Sequence, residues 1–121
     1  MAIFHFSANI ISRGKGRSAV AAAAYRSGSR ITNEYDGVVH DYRRKRGVID
    51  KQIFLPDHVP REYYDRATLW NAVEKIEKAK NAQLAREIEI AIPKEIPLAG
   101  TYQRVKEYVT ENFVSKGMIA D

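Results

Sequence analysis

One tyrosine of the 121-residue chain lies in a predicted helix and has several arginines close to it in sequence. Tyr25 ends an alanine run, and Arg17, Arg26 and Arg30 lie close to it in sequence. A phenolic oxygen can attack an electrophilic centre and form a covalent intermediate. A tyrosine ordinarily loses its proton only at about pH 10, so cations or a metal-polarised substrate would have to assist it at neutral pH. The alternative is a packing anchor whose hydroxyl lies at the surface.

A second candidate group is a pair of carboxylates. Glu87 and Glu89 lie two residues apart in the alternating stretch 86–92, so in a strand both project from one face. Two carboxylates on one face can bind a hard divalent cation, especially beside a phosphate. The alternative is an ordinary solvated polar face. His5, on the polar side of an alternating stretch at 2–11, could pair with them if the two strands are neighbours, but a lone histidine is more often simply hydrogen-bonded.

The positive charge is concentrated in the first half of the chain. Residues 1–60 hold ten Lys and Arg against five Asp and Glu, whereas residues 61–121 hold ten of each, so the first half carries the whole net charge of +5. This asymmetry is typical of a surface that binds a polyanion, and nucleic acid is the favoured partner. The alternative is that the basic residues only keep loops soluble. The candidate DNA-binding residues are Arg13, Lys15, Arg17, Arg26, Arg30, Arg43, Arg44, Lys45 and Arg46.

Composition excludes several other classes of protein. The chain has no cysteine, so disulfides, thiolate metal sites and a cysteine nucleophile are excluded. No apolar run approaches the roughly 20 residues of a membrane-spanning helix. No basic segment precedes the apolar start of the chain, so the N-terminus does not read as a secretory signal. These features predict a soluble protein of a reducing, cytoplasmic setting.

The predicted elements alternate between strands and helices. Period-two alternation predicts half-buried strands at 2–11 and 86–92, each with an apolar and a polar face. Ser18 is a predicted cap for the alanine-rich helix that carries Tyr25, and Asp65 caps a helix that runs to about Lys80. Shorter strands are predicted at 38–42, 52–55 and 118–120, and a last helix begins near residue 98 and is capped by Gly117. The order predicts an α+β fold with helices packed on an antiparallel sheet.

A colinear set of short segments resembles one family. In order they are MAIFHFS (1–7), SRGKGRSA (12–19), AYRSGSR (24–30), DY (41–42), FLP (54–56), LWN (69–71), AREIEIAIP (85–93) and GMIAD (117–121). Together they resemble the N-terminal part of MobA/MobL-type plasmid mobilisation relaxases. The resemblance implies that residues 1–121 are the N-terminal part of a single relaxase (nickase) domain.

The resemblance also implies a reaction. Relaxases of this type nick one DNA strand at a plasmid's origin of transfer, on the five-stranded antiparallel sheet of the histidine-hydrophobe-histidine (HUH) endonucleases. Tyr25 then corresponds to the nucleophile, which becomes linked to the 5′ phosphate and frees a 3′ hydroxyl. Glu87, with Glu89 as second choice, serves a divalent metal ion, Mn²⁺ or Mg²⁺. The implied partners are single-stranded and adjacent duplex DNA and the proteins of the transfer complex.

One departure from the family pattern limits this interpretation. The family's metal-binding histidines follow the last helix, on a strand that begins where these 121 residues stop. We therefore expect the chain to lack that metal-histidine strand and to be inactive, or nearly so, in nicking by itself. The alternative from another class is a non-catalytic module that binds single-stranded DNA. A third alternative is a structural fragment whose charged side chains lie on its surface and bind no partner.

Overall fold

The fold is α+β, as the sequence predicts. It is described here from a computed structural model, which covers residues 6–92 and 97–121. His5 therefore lies outside the described residues. In chain order the elements are β1 (Phe6–Ser12), α1 (Ala19–Ser27), β2 (Arg30–Thr32), β3 (Val39–Asp41), α2 (Arg66–Ile76), β4 (Gln83–Ile90) and α3 (Leu98–Asn112), with short 3-10 turns at Arg13–Lys15, Arg61–Tyr64 and Val114–Lys116.

The predicted caps define where α1 and α2 begin. The Ser18 hydroxyl accepts a hydrogen bond from the backbone N–H of Ala21, and the Asp65 carboxylate accepts one from Thr68. Each bond satisfies a backbone donor that has no partner within the helix. Gly28, at a φ of 65°, ends α1 in the left-handed conformation that a glycine adopts without strain.

The helix α2 ends four residues earlier than the predicted end at Lys80, and an arginine from another element binds backbone carbonyls at and just beyond this end. The Arg13 guanidinium donates to the backbone carbonyls of Glu74, Glu77 and Ala79, and it also pairs with the Glu74 carboxylate at 2.8 Å. A cation at a helix C-terminus satisfies carbonyls that lack an intrahelical partner and interacts favourably with the helix dipole.

The strands form two separate antiparallel pairs in the described part of the chain. β1 pairs with β4, which places Ser7 opposite Glu89 and Asn9 opposite Glu87, and β2 pairs with β3. The short strands predicted at 52–55 and 118–120 are reduced to one bridge between Phe54 and Ala120. The described residues therefore supply pieces of antiparallel sheet rather than the five-stranded sheet that the resemblance implies.

The side of the β1–β4 pair that lies against the rest of the fold is the polar one. Phe6, Ile10, Ile88 and Ile90 project from the opposite side and are between 38% and 49% exposed. We call these four residues the exposed apolar face. This apolar side is not packed into the core of the described residues, because α1 and α2 contact the pair from its other side.

The core is small and is built around α1. One cluster joins α1 to the β1–β4 pair, and a second joins α1 to β2, with the Trp70 ring of α2 packed against both. The alanine-rich inner surface of α1 is buried, so its outer surface is left to carry the polar residues. The two clusters consist of Ile11, Ala19, Ala82 and Leu84, and of Val20, Ala23, Ala24 and Ile31.

The last helix packs less closely than its sequence predicts. The helical spacing of Tyr102 and Val105 predicts one buried side, but both residues are exposed, and Thr101 is the buried residue of the helix. The helix ends at Asn112, and Gly117 ends the 3-10 turn that follows it, with a φ of 89°. Among the described residues, no helix is both long and apolar enough to span a membrane.

Candidate active site

Tyr25 lies on the outer surface of α1 at the edge of an open cavity. Its side chain is 47% exposed, in contrast to the buried alanines that precede it in the same helix. The cavity has a volume of about 470 Å³, and Arg17, Arg26 and Glu87 line it together with Tyr25. Ser18, Asp36, Val38 and His40 are further lining residues. Four residues that the sequence singles out for chemistry thus meet at one place.

Two arginines hold the Glu87 carboxylate. Arg17 donates to Oε1 at 2.6 Å, and Arg26 donates to Oε2 from both Nε and Nη2, at 3.0 and 2.9 Å. Burial, which leaves the side chain 15% exposed, raises the pKa of Glu87, but the hydrogen bonds from Arg26 and Arg17 outweigh it and lower the pKa overall. The group is therefore an ionised carboxylate that orients two cations at the cavity wall.

The described residues do not assemble the metal site that the sequence suggests at Glu87 and Glu89. Both oxygens of Glu87 already accept hydrogen bonds from arginines, and Glu89 is 61% exposed with only a 3.9 Å contact to Arg26. No group of three or more His, Cys, Asp or Glu side chains that could hold a metal ion occurs in residues 6–92 and 97–121. The contact of a Mn²⁺ or Mg²⁺ ion with Glu87 and Glu89 therefore stays a prediction from the sequence.

The ring of Tyr25 is contacted by a loop that sequence reasoning did not connect with it. The Lys45 ammonium lies 3.7 Å from the ring centroid and donates to the backbone carbonyl of Tyr25 at 2.9 Å. The Tyr42 ring meets the Tyr25 ring edge to face, with centroids 5.3 Å apart. Sequence analysis assigned Lys45 to DNA binding together with its basic neighbours. Its contact with Tyr25 could not be predicted, because no spacing pattern relates a loop to a helix twenty residues earlier.

Arg13 differs from the other predicted DNA contacts because its side chain is directed into the fold. It is only 9% exposed, and its guanidinium is occupied by Glu74 and the end of α2. We therefore omit Arg13 from the proposed DNA interface. Four other predicted contacts are exposed and have no ion-pair or hydrogen-bond partner for their side chains among the described residues, namely Lys15, Arg30, Arg44 and Arg46.

Arg43 has a carboxylate partner of its own. Its guanidinium donates to both oxygens of Asp41, at 2.9 and 2.8 Å. The side-chain and backbone hydrogen bonds from Arg43 lower the pKa of Asp41 from 3.8 to about 2. Within the basic cluster, Arg43 is therefore less available to a phosphate than Arg44 or Arg46.

This pair gives a prediction for acid titration. We expect the Asp41 carboxyl to titrate at about 2, and Arg43→Gln to move its pKa back toward 3.8. Because the folded-state pKa is depressed, any stability from the pair is present above about pH 4 and is lost as the pH falls toward 2. NMR titration of the side-chain carboxyl measures this, with Asp57 as a reference. An Asp41 midpoint that Arg43→Gln leaves unchanged would contradict the assigned cause.

Comparison with known proteins identifies the family. A family model described as "MobA/MobL family" matches residues 17–121. The chain belongs to the MobA/MobL family. The matched region includes Tyr25, Lys45 and Glu87, so the cavity described above lies within the part of the chain that the family model covers.

Curated relatives of this MobA/MobL chain are named for conjugal transfer and mobilisation. "Conjugal transfer protein TraA" of Agrobacterium fabrum is 38% identical over 133 residues, covering all of this chain and 12% of that protein. "Mobilization protein MobL" of Acidithiobacillus ferridurans is 52% identical over 96 residues, covering 79% of this chain and 25% of that protein. The chain thus spans a quarter or less of the length of these two relatives.

A solved structure supports the fold. It is described as "Molecular Basis of Vancomycin Resistance Transfer in Staphylococcus aureus", and it matches with a TM-score of 0.84 and 35% sequence identity. The match covers 91% of this MobA/MobL chain and 56% of the solved chain. The relaxase-like fold class predicted from the sequence is confirmed.

Proposed function

We propose that this MobA/MobL chain is the N-terminal part of a single relaxase domain that nicks one strand of plasmid DNA at the origin of transfer. The observation that carries the proposal is the exposed Tyr25 beside Arg17 and Arg26 at one cavity. A tyrosine and two arginines that line one cavity suit attack on a phosphodiester, because the hydroxyl can act as nucleophile and the guanidinium groups can bind the anionic substrate. The names of the relatives, conjugal transfer and mobilisation proteins, agree with this substrate.

The proposed reaction is a transesterification. The Tyr25 oxygen forms a bond to the scissile phosphorus, and the bond from phosphorus to the 3′ oxygen breaks. The phenolic proton passes to solvent, and the departing 3′ oxygen takes up a proton to become a 3′ hydroxyl. The product is a protein joined through Tyr25 to the 5′ phosphate, which conserves the phosphodiester energy for later rejoining.

Glu87 prepares the arginines for this step. By accepting from Nε and Nη2 of Arg26, it holds that guanidinium in place, while Nη1 has only a 3.9 Å contact with the exposed Glu89 and can turn to a phosphate oxygen. Donors that are oriented before the substrate binds lose little entropy when charge develops in the transition state. We propose this orienting role for Glu87. The divalent metal, Mn²⁺ or Mg²⁺, and any part of Glu87 or Glu89 in holding it remain expectations from the family, and no step above depends on them.

The exposed cations extend the interface beyond the cavity. Arg30, Arg44 and Arg46, which follow α1 in sequence, and Lys15, which precedes it, provide phosphate contacts for the single strand and the adjacent duplex. The partner DNA is then held mainly through its backbone, and affinity falls as salt rises. We place this reaction in the bacterial cytoplasm, where plasmid DNA is processed and where transfer-complex proteins would meet it.

A suicide oligonucleotide tests the proposal. The full gene product is incubated with the origin sequence found beside its gene, in Mn²⁺, Mg²⁺ or EDTA, and the mixture is resolved on a denaturing gel. We expect a covalent adduct that peptide mass spectrometry assigns to Tyr25, and we expect EDTA to prevent it. Tight, salt-dependent binding without any adduct would contradict the relaxase proposal and favour a non-catalytic single-strand-binding module.

A further inference from the structure

We propose that Lys45 is a positioning residue for the Tyr25 nucleophile, an inference that rests on the proposed function. Its ammonium makes two contacts with the same residue, one with the ring at 3.7 Å from the centroid and one with the backbone carbonyl at 2.9 Å. An ammonium this close to an aromatic face forms a cation–π contact. A side chain that binds both the ring and the backbone of Tyr25 restrains how the ring can turn relative to α1.

The loop that carries Lys45 is itself fixed to the end of α1. The backbone N–H of Tyr42 donates to the carbonyl of Ser29 at 3.0 Å, and the Lys45 N–H donates to the carbonyl of Tyr42 at 3.0 Å. The loop also passes so close to Gly28 that a Cβ there would lie 3.4 Å from a Val48 methyl group. Lys45 is thus held by its backbone near Tyr25, in contrast to a lysine at the tip of a free loop.

The Tyr42 ring also holds the Tyr25 ring in place. Tyr42 meets Tyr25 at an interplanar angle of 88°, which is the edge-to-face arrangement that aromatic pairs favour. With Lys45 on its face and Tyr42 packed edge to face, the Tyr25 ring loses rotational freedom before DNA arrives. In-line attack needs the reacting atoms about 3–3.5 Å apart and aligned, and a misplacement of about 1 Å can cost about 100-fold in rate.

Three roles for Lys45 make different predictions. A phosphate contact would contribute to DNA affinity, and a helix cap would contribute only to stability. A positioning residue instead contributes to the rate at which bound DNA becomes covalently attached.

Two substitutions of Lys45 separate these roles. Lys45→Met removes the charge and keeps much of the length, and Lys45→Arg retains a cation that can reach both the ring and the carbonyl. Arg44→Met is the matched control, because it removes a neighbouring exposed cation that does not contact Tyr25.

The decisive experiment is a single-turnover assay of the full gene product on the origin oligonucleotide. We expect Lys45→Met to lower the rate of adduct formation at saturating DNA by about 10- to 100-fold, with the half-saturating DNA concentration within about twofold of the unmodified protein. Lys45→Arg should recover most of the rate. Arg44→Met should instead raise the half-saturating DNA concentration, because it removes a phosphate contact. A Lys45→Met protein that behaves like Arg44→Met, or that changes only in thermal midpoint, would overturn the proposal.

A measurement without DNA separates this inference from the relaxase proposal. In protein with ¹³C-labelled tyrosine rings, the Tyr25 resonances are assigned by their loss in Tyr25→Phe. We expect Lys45→Met to shift them and Arg44→Met to leave them in place. If they shift but the unmodified protein forms no adduct, the contact is real and the proposed function fails. If they do not shift, the positioning role is overturned whatever the activity.

Discussion

Tyr25→Phe is expected to reduce covalent adduct formation by about 1,000-fold or more and to leave DNA affinity within about twofold. The substitution removes one oxygen and keeps the ring that contacts Lys45 and Tyr42, so the packing around α1 is retained. Loss of a nucleophile removes the covalent step itself, and effects of this size are typical when an enzyme loses such a group. Affinity is retained because phosphate contacts come from the arginines and lysines.

The measurement is a denaturing gel of protein–DNA adduct over time, with binding followed separately by fluorescence anisotropy. Tyr64→Phe is the matched control, since Tyr64 is also exposed but lies in the 3-10 turn Arg61–Tyr64, away from the residues that line the cavity. It should form adduct at the normal rate. An adduct that persists in Tyr25→Phe at more than a few per cent of the normal rate would assign the nucleophile elsewhere.

Glu74→Gln is expected to lower the free energy of unfolding by about 3 kcal/mol. Glu74 is 2% exposed, and its carboxylate accepts from Arg13 at 2.8 Å, from the Ser18 hydroxyl at 3.0 Å and from the Ala19 N–H at 2.9 Å. The glutamine amide carries no negative charge, and its NH₂ group puts a donor where an acceptor oxygen was, so Arg13 is left as an uncompensated charge in the interior. Removing one partner of a buried pair is strongly destabilising for this reason.

Chemical denaturation followed through the fluorescence of Trp70, which packs against both core clusters, measures the change. Glu77→Gln provides the control, because Glu77 is exposed and contributes only its backbone carbonyl to Arg13. It should alter the unfolding free energy by less than about 0.5 kcal/mol. Equal effects of the two substitutions would show that the buried carboxylate does not stabilise the junction between α1 and α2.

Features that depend on neighbouring residues could be predicted from the sequence. The Ser18 and Asp65 caps begin the helices where they were expected, because a cap acts over three residues. The alternation at 86–92 predicted a strand and placed Glu87 on its polar side, and β4 has Glu87 bound to the arginines of the cavity.

Features that depend on distant residues could not be predicted in this way. Alternation in β1 distinguishes two sides but does not indicate which side the helices cover. The helical spacing of Ile76 predicts that it lies on the buried side of α2, but it is 70% exposed because the helix ends there. Arg13 was assigned to DNA since its partner, Glu74, lies 61 residues away in sequence. The contact between Lys45 and Tyr25 was missed for the same reason.

The exposed apolar face affects how copies of the chain attract or repel one another in solution. Phe6, Ile10, Ile88 and Ile90 present four water-facing hydrocarbon side chains on one side of a two-stranded ribbon. At neutral pH the net charge of +5 makes copies of the chain repel one another. Near the isoelectric point of about 9.5 that repulsion vanishes, and added salt screens it at lower pH. Attraction between such faces is then less opposed, and we expect the second virial coefficient of the chain to turn negative in alkaline or concentrated salt solution.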